Sequence, residues 1–192
     1  NYSGYPASVC VSVNDEIIHG IPGPRVLTEG DIVSVDVGAY IGGFHGDCAA
    51  TYPCGKISAE AQRLIDVTQQ SFFEGIRFAR EGQRLSDISA AVQKYVEDNG
   101  YSVVREYVGH GIGEKMHMPP EVPNYGKKGQ GLVLQPGDTI CIEPMSSLGK
   151  PDTVVVEDDD GWTVCLKDGS IGCHCEHTVL VTEDGYEIIT QL

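Results

Sequence analysis

The sequence is short of positive charge. Its 192 residues contain 13 Lys and Arg against 28 Asp and Glu, which gives a formal net charge of −15. Duplex nucleic acid and anionic membranes are negatively charged, so most of the surface of this protein would repel them. We therefore expect no direct binding to either. The composition instead favours cationic partners, such as metal ions, amines or the amino termini of peptides.

Long hydrophobic runs are also absent, and the cysteines lack the spacing of a zinc ribbon. No run of 18 apolar residues exists, so no segment is predicted to span a bilayer. The seven cysteines are an odd number without a Cys-x-x-Cys pair, which argues against a disulfide framework and a ribbon-type zinc site. We interpret them as reduced thiols and expect a cytoplasmic protein.

Apolar periodicity predicts two helices in the middle of the chain. From Ser58 to Gly82, apolar residues recur at intervals of three and four, and Ser58 is suited to cap the amino end. The same spacing begins again at Ser86 and stops at Asn99 and Gly100. The remainder of the chain has the pattern of strands and turns.

The two flanks of this helical pair form a weak internal repeat. In the first flank, His19 is followed by a predicted strand over residues 32–37; in the second, His117 is followed by one over residues 139–143. The second strands of the flanks also correspond, at residues 44–51 and 173–178. Each half therefore contributes one loop histidine and two strand acids.

The repeat predicts the fold class. Two strand-rich halves related by a pseudo-twofold axis, with helices outside, describe an α+β sandwich whose site lies between the halves. No linker interrupts the sequence, so residues 1–192 are predicted to form one domain. It divides into a first half (1–55), the helical pair (58–100) and a second half (101–192).

Four acidic residues lie in otherwise apolar strands. In Val33-Ser-Val-Asp36-Val the alternation places the valines on one face and Asp36 on the other. Burying such an acid is costly unless a cation meets it. An edge-strand carboxylate that reaches solvent would explain one such residue, but not four that match in pairs. We therefore predict a dinuclear, carboxylate-rich metal site made of Asp36, Asp47, Glu143 and Glu176.

His110 stands between two glycines that leave its imidazole unobstructed. Neutral imidazole binds Mn(II), Fe(II), Co(II) or Zn(II) well, so His110 is a candidate ligand, with a structural turn as the alternative. His45 shares a strand face with Asp47, and His174 shares one with Glu176, so contact of either histidine with the metal stays open. Cys173 and Cys175 point away from Glu176 and are predicted not to be ligands.

Eight stretches spread over nearly the whole chain match one family. They are Gly4-Tyr-Pro-Ala-Ser-Val, His19-Gly-Ile-Pro, Asp31-Ile-Val-Ser-Val-Asp-Val, Gly43-Phe-His-Gly-Asp, Val103-Val-Arg-Glu-Tyr-Val-Gly-His-Gly-Ile-Gly, Ile142-Glu-Pro-Met, Asp160-Gly-Trp-Thr-Val and Glu176-His-Thr. With these stretches the sequence resembles the methionine aminopeptidases of type I, the bacterial type, a metallopeptidase family with the pita-bread fold.

The resemblance implies a role for each candidate residue. The metal ligands would be Asp36, Asp47, His110, Glu143 and Glu176, with Asp47 and Glu176 bridging two divalent cations drawn from Co, Mn, Fe(II), Zn or Ni. The catalytic residues would be His19, His117 and Glu143. The substrate-binding residues would be His19, His117, Tyr2, Tyr5 and Cys10.

The implied function is removal of the initiator methionine from nascent proteins whose second residue is small. The alternatives are a proline-directed aminopeptidase or dipeptidase of the same fold and a non-catalytic pita-bread module that binds peptides. Amino termini that start with Met are the expected partners, without direct contact to nucleic acid or membrane; association with the ribosome stays open. A monomer is expected if an amino-terminal lead is present.

The sequence departs from the family pattern in two respects. The family and the internal repeat both predict a helical lead before the first strands, and we expect this lead to be missing here. Cys48, Met118 and Cys175 also stand where the family pattern leads us to expect Thr, an acid and an aromatic residue. We expect these changes to alter the lining of the pocket and to leave the ligand set intact.

Overall fold

A computed structural model describes residues 2–150, 155–157 and 159–191. It contains two α-helices, α1 (Ala59–Ile76) and α2 (Leu85–Asp98), and one turn of 3-10 helix at Tyr2–Gly4. Within the described part of the chain, no helix has both the length and the apolar composition needed to cross a membrane.

The described ranges also contain fourteen strands. They are β1 (Cys10–Val13), β2 (Glu16–Ile18), β3 (Ile32–Ile41), β4 (Phe44–Pro53), β5 (Ser102–Val103), β6 (Gly109–Gly111), β7 (Met118–Val122), β8 (Thr139–Ile142), β9 (Met145–Ser147), β10 (Val155–Glu157), β11 (Val164–Leu166), β12 (Gly172–His174), β13 (Glu176–Val181) and β14 (Tyr186–Ile188).

One large antiparallel sheet dominates the molecule. Its strands follow the order β1, β3, β4, β13, β8, β6 and β7, and β14 pairs with β13. Two three-stranded sheets flank it, in the orders β10, β11, β2 and β12, β9, β5. Because β4 and β13 meet at the centre, the strands of the first half lie on one side of this junction and those of the second half on the other.

The sheet order confirms the internal repeat. The strands predicted to correspond occupy equivalent places in the sheet: β4 and β13 form the central pair, and β3 and β8 lie on either side of it. Asp36 and Glu143 therefore mark the outer strand of each half, and Asp47 and Glu176 the inner strand. The predicted α+β architecture, with two strand-rich halves related by a pseudo-twofold axis, is correct.

The first helix begins as predicted but is shorter. Ser58 caps it by accepting a hydrogen bond from the Ala61 amide at 3.0 Å. It ends at Ile76 rather than Gly82, because the Ala79 amide bonds the Ile76 carbonyl at 2.8 Å and tightens the last turn. The chain then leaves the helix direction.

The second helix begins one residue earlier than predicted, at Leu85. The carboxylate of Asp87 accepts a hydrogen bond from the Arg84 amide at 3.0 Å, which satisfies a donor at the helix start. Ser86, the predicted first residue, lies inside the helix, and its hydroxyl donates to the Gln130 carbonyl at 2.7 Å and fixes a neighbouring loop. The helix ends at Asp98, immediately before the predicted Asn99.

Both helices pack on one face of the large sheet. The main hydrophobic cluster joins Phe72 and Ile76 of α1 and Ile88 of α2 to sheet residues that include Ile140 and Ile142. Side chains alternate along a strand, so Cys141 and the residue after the strand, Glu143, face away from the helices. The apolar core thus determines which face remains available for a site.

Phe72 is the largest side chain of this core and is fully buried, beside Phe73 and the ring of His177. We expect Phe72→Ala to lower the free energy of unfolding by about 3 to 5 kcal/mol, because it removes buried surface and leaves a cavity. Gln70→Ala, at an exposed position of the same helix, is the control and should change it by less than about 0.5 kcal/mol. Equal effects in urea unfolding would contradict this core assignment.

Candidate metal centre

Five neighbouring strands each bring one predicted ligand to the face of the sheet opposite the helices. The five residues are Asp36 on β3, Asp47 on β4, Glu176 on β13, Glu143 directly after β8, and His110 on β6. They lie far apart in sequence, but the antiparallel pairing places their strands side by side. The structure therefore brings all five together.

The carboxylates are crowded and largely removed from water. Asp47, Glu143 and Glu176 are buried, and Asp36 is half-buried. Ligand oxygens of Asp36, Asp47 and Glu176 lie within 4.8 Å of one another. One oxygen of Asp47 and one of Glu176 are buried without a hydrogen-bond partner in the described structure. Such oxygens are costly unless a cation meets them, so this donor set fits divalent metal ions.

The electrostatics of the cluster lead to the same conclusion. Burial, and then repulsion by Asp47, raises the pKa of Asp36 to about 7. The pKa of Asp47 is also raised by burial. The pKa values of Glu143 and Glu176 are raised well above the ordinary range, first by burial and then by neighbouring carboxylates. The protein alone therefore disfavours full ionisation, and cations would offset the repulsion.

His110 is oriented as a ligand would be. Its Nδ1 lies 2.9 Å from the Gly111 carbonyl oxygen, and its Nε2 lies 3.7 Å from an oxygen of Glu143. Donation from Nδ1 leaves the Nε2 lone pair directed at the acids. Burial lowers the pKa of His110 to about 4, so the ring is neutral at pH 7. A side chain at Gly109 or Gly111 would collide with backbone carbonyls, so both glycines are required by close packing.

The acids lie at one side of a cavity of about 350 Å³. Every residue predicted to bind or act on the substrate lines it: Tyr2, Tyr5, Cys10, His19, His117 and Glu143. Trp162, Ile18 and Met116 add apolar surface. The site is therefore a cleft with one acidic side and a partly apolar wall, which is typical of a small-ligand site.

Hydrogen bonds hold the aromatic residues of this cleft in place. The Tyr2 hydroxyl lies 2.8 Å from Nδ1 of His117, at the exposed mouth. The Tyr5 hydroxyl donates to the Gly20 carbonyl at 2.7 Å, and the Tyr5 ring meets Trp162 edge-on at 5.2 Å between centroids. His19 adopts a left-handed backbone conformation with φ of 59°. Its ring lies edge-on to Tyr107 at 6.0 Å between centroids.

The two histidines that sequence reasoning left open lie in different places. His174 lines the cleft, with Nε2 at 3.8 Å from an oxygen of Glu143 and at 3.8 Å from one of Glu176. His45 lies outside the lining, where its ring packs on Tyr40 and its Nδ1 is 3.2 Å from the Gly113 carbonyl. His174 is therefore part of the site.

Sequence reasoning missed two residues of the site. The Cys141 sulfur lies within 4.8 Å of ligand atoms of His110 and Glu176. Strand alternation could have identified Cys141, because Ile140 and Ile142 face the helices and Cys141 therefore lies on the same face as Glu143. Trp162 lies in a matched stretch, but nothing in the linear sequence places it beside Tyr5. Cys173 and Cys175 belong to neither group of candidate ligands in the described residues.

The chain is similar to known metallopeptidases. The model of metallopeptidase family M24 matches residues 1–183. A methionine aminopeptidase of Clostridium acetobutylicum is 53% identical over 190 residues, which cover 98% of this chain and 75% of that protein. The crystal structure of methionine aminopeptidase from Rickettsia prowazekii is 44% identical, with a TM-score of 0.96, covering 100% of this chain and 77% of the other.

A more distant likeness extends the fold comparison. An Xaa-Pro dipeptidase from Bacillus anthracis has a TM-score of 0.74 at 23% identity and covers 97% of this chain and 47% of that one. At this level of identity the likeness shows the fold alone. Together with the aminopeptidases, it confirms the predicted pita-bread fold.

The raised carboxyl pKa values predict an unusual pH dependence of stability. In chelator-treated protein, Asp36 contributes stability while protonated and loses it as the pH rises through about 7. The pKa values of the buried residues His110 and His174 are lowered, so their titration makes stability rise with pH. That rise is nearly complete at the ordinary histidine pKa of about 6.5. We therefore expect the Tm to fall between pH 6.5 and 8, and Mn(II) to raise it more at pH 8.

Differential scanning fluorimetry with EDTA or Mn(II) measures both effects. Asp36→Asn is the matched control, because it removes the titrating group and should flatten the slope. A Tm that does not change between pH 6.5 and 8 in EDTA would contradict the electrostatic description of the cluster.

Proposed function

Since the chain belongs to metallopeptidase family M24 and, within it, to the methionine aminopeptidases, we propose that it removes the initiator methionine from peptides and proteins whose second residue is small. The observation that carries this proposal is the group of buried carboxylates and neutral histidines beside a cleft large enough for one side chain. Family membership implies the use of divalent metal, and the donor set fits such ions.

We further propose that Asp36, Asp47, His110, Glu143 and Glu176 would hold two divalent cations. Mixed carboxylate and imidazole donors suit Mn(II), Fe(II), Co(II) or Zn(II). When bound, such ions polarise a carbonyl and lower the pKa of a coordinated water toward neutrality. The residues around them then bind, orient and exchange protons with the substrate.

Glu143 is the proposed proton acceptor. Its carboxylate lines the cleft, and burial raises its pKa from the ordinary carboxyl range. A carboxylate with a raised pKa accepts a proton from the attacking water more readily and passes it to the leaving amine. Nε2 of His110 lies 3.7 Å from Oε1 of Glu143, and this close approach limits rotation of the Glu143 carboxylate.

His117 and His19 are the proposed hydrogen-bond donors to the reacting peptide. If the Tyr2 hydroxyl donates to Nδ1 of His117, at 2.8 Å, the proton of that ring lies on Nε2. Nε2 can then donate to the carbonyl oxygen as negative charge develops on it. Partial burial lowers the pKa of His117, so the ring donates as a neutral imidazole.

Recognition of the substrate follows from the two chemistries of the cleft. Tyr5, Cys10 and Trp162 offer an apolar wall to the methionine side chain. The acidic cluster attracts the free α-amino group, which explains a preference for the first residue of a chain. We propose nascent proteins as the physiological substrates and a monomeric state if an amino-terminal lead is present; association with the ribosome stays open.

The decisive experiment compares two peptides. We expect release of methionine from Met-Ala-Ser in the presence of Mn(II), Co(II) or Fe(II), and none from an Ala-Pro peptide. Cleavage of the Ala-Pro peptide would favour a proline-directed peptidase. Stoichiometric metal binding without cleavage of either peptide would favour the peptide-binding module.

Asp47→Ala tests the metal assignment. We expect loss of activity and less bound metal by elemental analysis, because removal of this buried carboxylate leaves the site with less negative charge to hold cations. Asp66→Ala, on an exposed face of α1, is the matched control and should behave as the wild type. Normal metal content and turnover in Asp47→Ala would show that the ligand set is wrong.

His117→Ala tests the division of roles between ligands and donors. We expect turnover to fall by about 10²-fold or more with normal metal content, the usual loss for one oxyanion donor. His177→Ala, on the helix side of the sheet, is the control. If the metal content of His117→Ala falls as well, His117 is a ligand.

A further inference from the structure

His174 is buried at a rigid position of the fold. Only 2% of its surface is exposed. The Thr51 hydroxyl accepts a hydrogen bond from the His174 amide at 3.0 Å and donates one to the His174 carbonyl at 2.8 Å. Thr51 of β4 thus fixes the backbone at the end of β12, from which the buried imidazole ring projects.

The ring of His174 lies between two acids of the site. Its Nε2 is 3.8 Å from Oε2 of Glu143 and 3.8 Å from Oε2 of Glu176. Neither ring nitrogen has a hydrogen-bond partner within the described structure. An imidazole ring has at least one N–H group, and Nε2 is the ring nitrogen of His174 that faces both acids.

Electrostatics decide which nitrogen has the proton. A lone pair on Nε2 would face two carboxylate oxygens and be repelled, whereas an N–H group there is attracted to both. The contrast with His110 is informative, since a carbonyl accepts from Nδ1 of that ring and frees its Nε2 for metal. No carbonyl of the described residues does so for His174. A shift of about 1 Å would bring Nε2–H of His174 within hydrogen-bond distance of either carboxylate.

We propose that His174 is a positioning residue that sets the separation of Glu143 and Glu176 by donating from Nε2 to both carboxylates. This inference rests on the proposed function, because both acids are proposed ligands there. Since Glu143 is also the proposed proton acceptor, the orientation of its carboxylate affects catalysis as well as metal binding. Loss of such an outer partner usually costs about 10- to 100-fold in metal affinity or activity.

Two variants separate the hydrogen bond from the packing. His174→Gln retains an N–H donor of similar reach, whereas His174→Leu fills the space without one. We expect the Leu variant to bind Mn(II) about 10- to 100-fold more weakly by calorimetry. Its kcat should also fall, with KM changed by less than about twofold. The Gln variant should recover most of both properties.

The matched control is the pair His177→Gln and His177→Leu. His177 follows on the next strand but faces the helices, where its Nδ1 bonds the Thr190 hydroxyl at 2.9 Å. Neither change should alter Mn(II) affinity. Should His174→Leu not fold, His174→Asn, whose shorter amide withdraws the donor from the acids, replaces it with the same expectation.

Co(II) absorption spectra distinguish positioning from direct ligation. We expect His174→Gln to retain the visible bands of the wild-type Co(II) protein; a changed band pattern would make His174 a ligand and overturn the inference. Equal Mn(II) affinity in the wild type and in His174→Leu would also overturn it. Failure of the wild-type protein to bind metal would instead refute the proposed function.

Discussion

The mutual repulsion of four carboxylates on one buried face of a sheet is the constraint on which the remaining structure depends. Asp36, Asp47, Glu143 and Glu176 can be ionised together only if cations neutralise them, and burial makes that requirement stricter. The neutral histidines His110 and His174 approach the acids without adding charge. A site of this kind binds metal because its own groups are unstable without it.

The fold makes such a cluster possible by giving the two faces of the sheet different tasks. The helices cover one face, where apolar side chains such as Phe72 of α1 pack on sheet residues such as Ile140, and this burial supplies stability that the acidic face does not. Antiparallel pairing then places residues from five neighbouring strands at one point. The pseudo-twofold arrangement doubles the number of acids that a single half could provide.

The same arrangement explains the proposed specificity. An acidic cluster beside an apolar wall accepts a positively charged amino group and a hydrophobic side chain at the same time. Partial burial lowers the pKa of His117 at the rim, so this ring can donate a hydrogen bond without repelling the amine. The proposed cleavage at the first peptide bond then follows from where the amino group is held, because the reacting carbonyl belongs to the same residue as that amino group.

Much of this protein could be predicted from sequence, because strand alternation and the internal repeat are local or pairwise patterns. They were sufficient to predict the matched acids and the α+β architecture. Helical periodicity predicted the helical pair, and the flanking glycines together with the family resemblance made His110 a candidate ligand. The end of α1 at Ile76 could not be predicted, since a tightened turn and the burial of Ala79 override helical periodicity. The contacts of His174, Cys141 and Trp162 also needed the tertiary structure. Each depends on which strands become neighbours and how closely they approach, and those distances result from packing across the whole sheet.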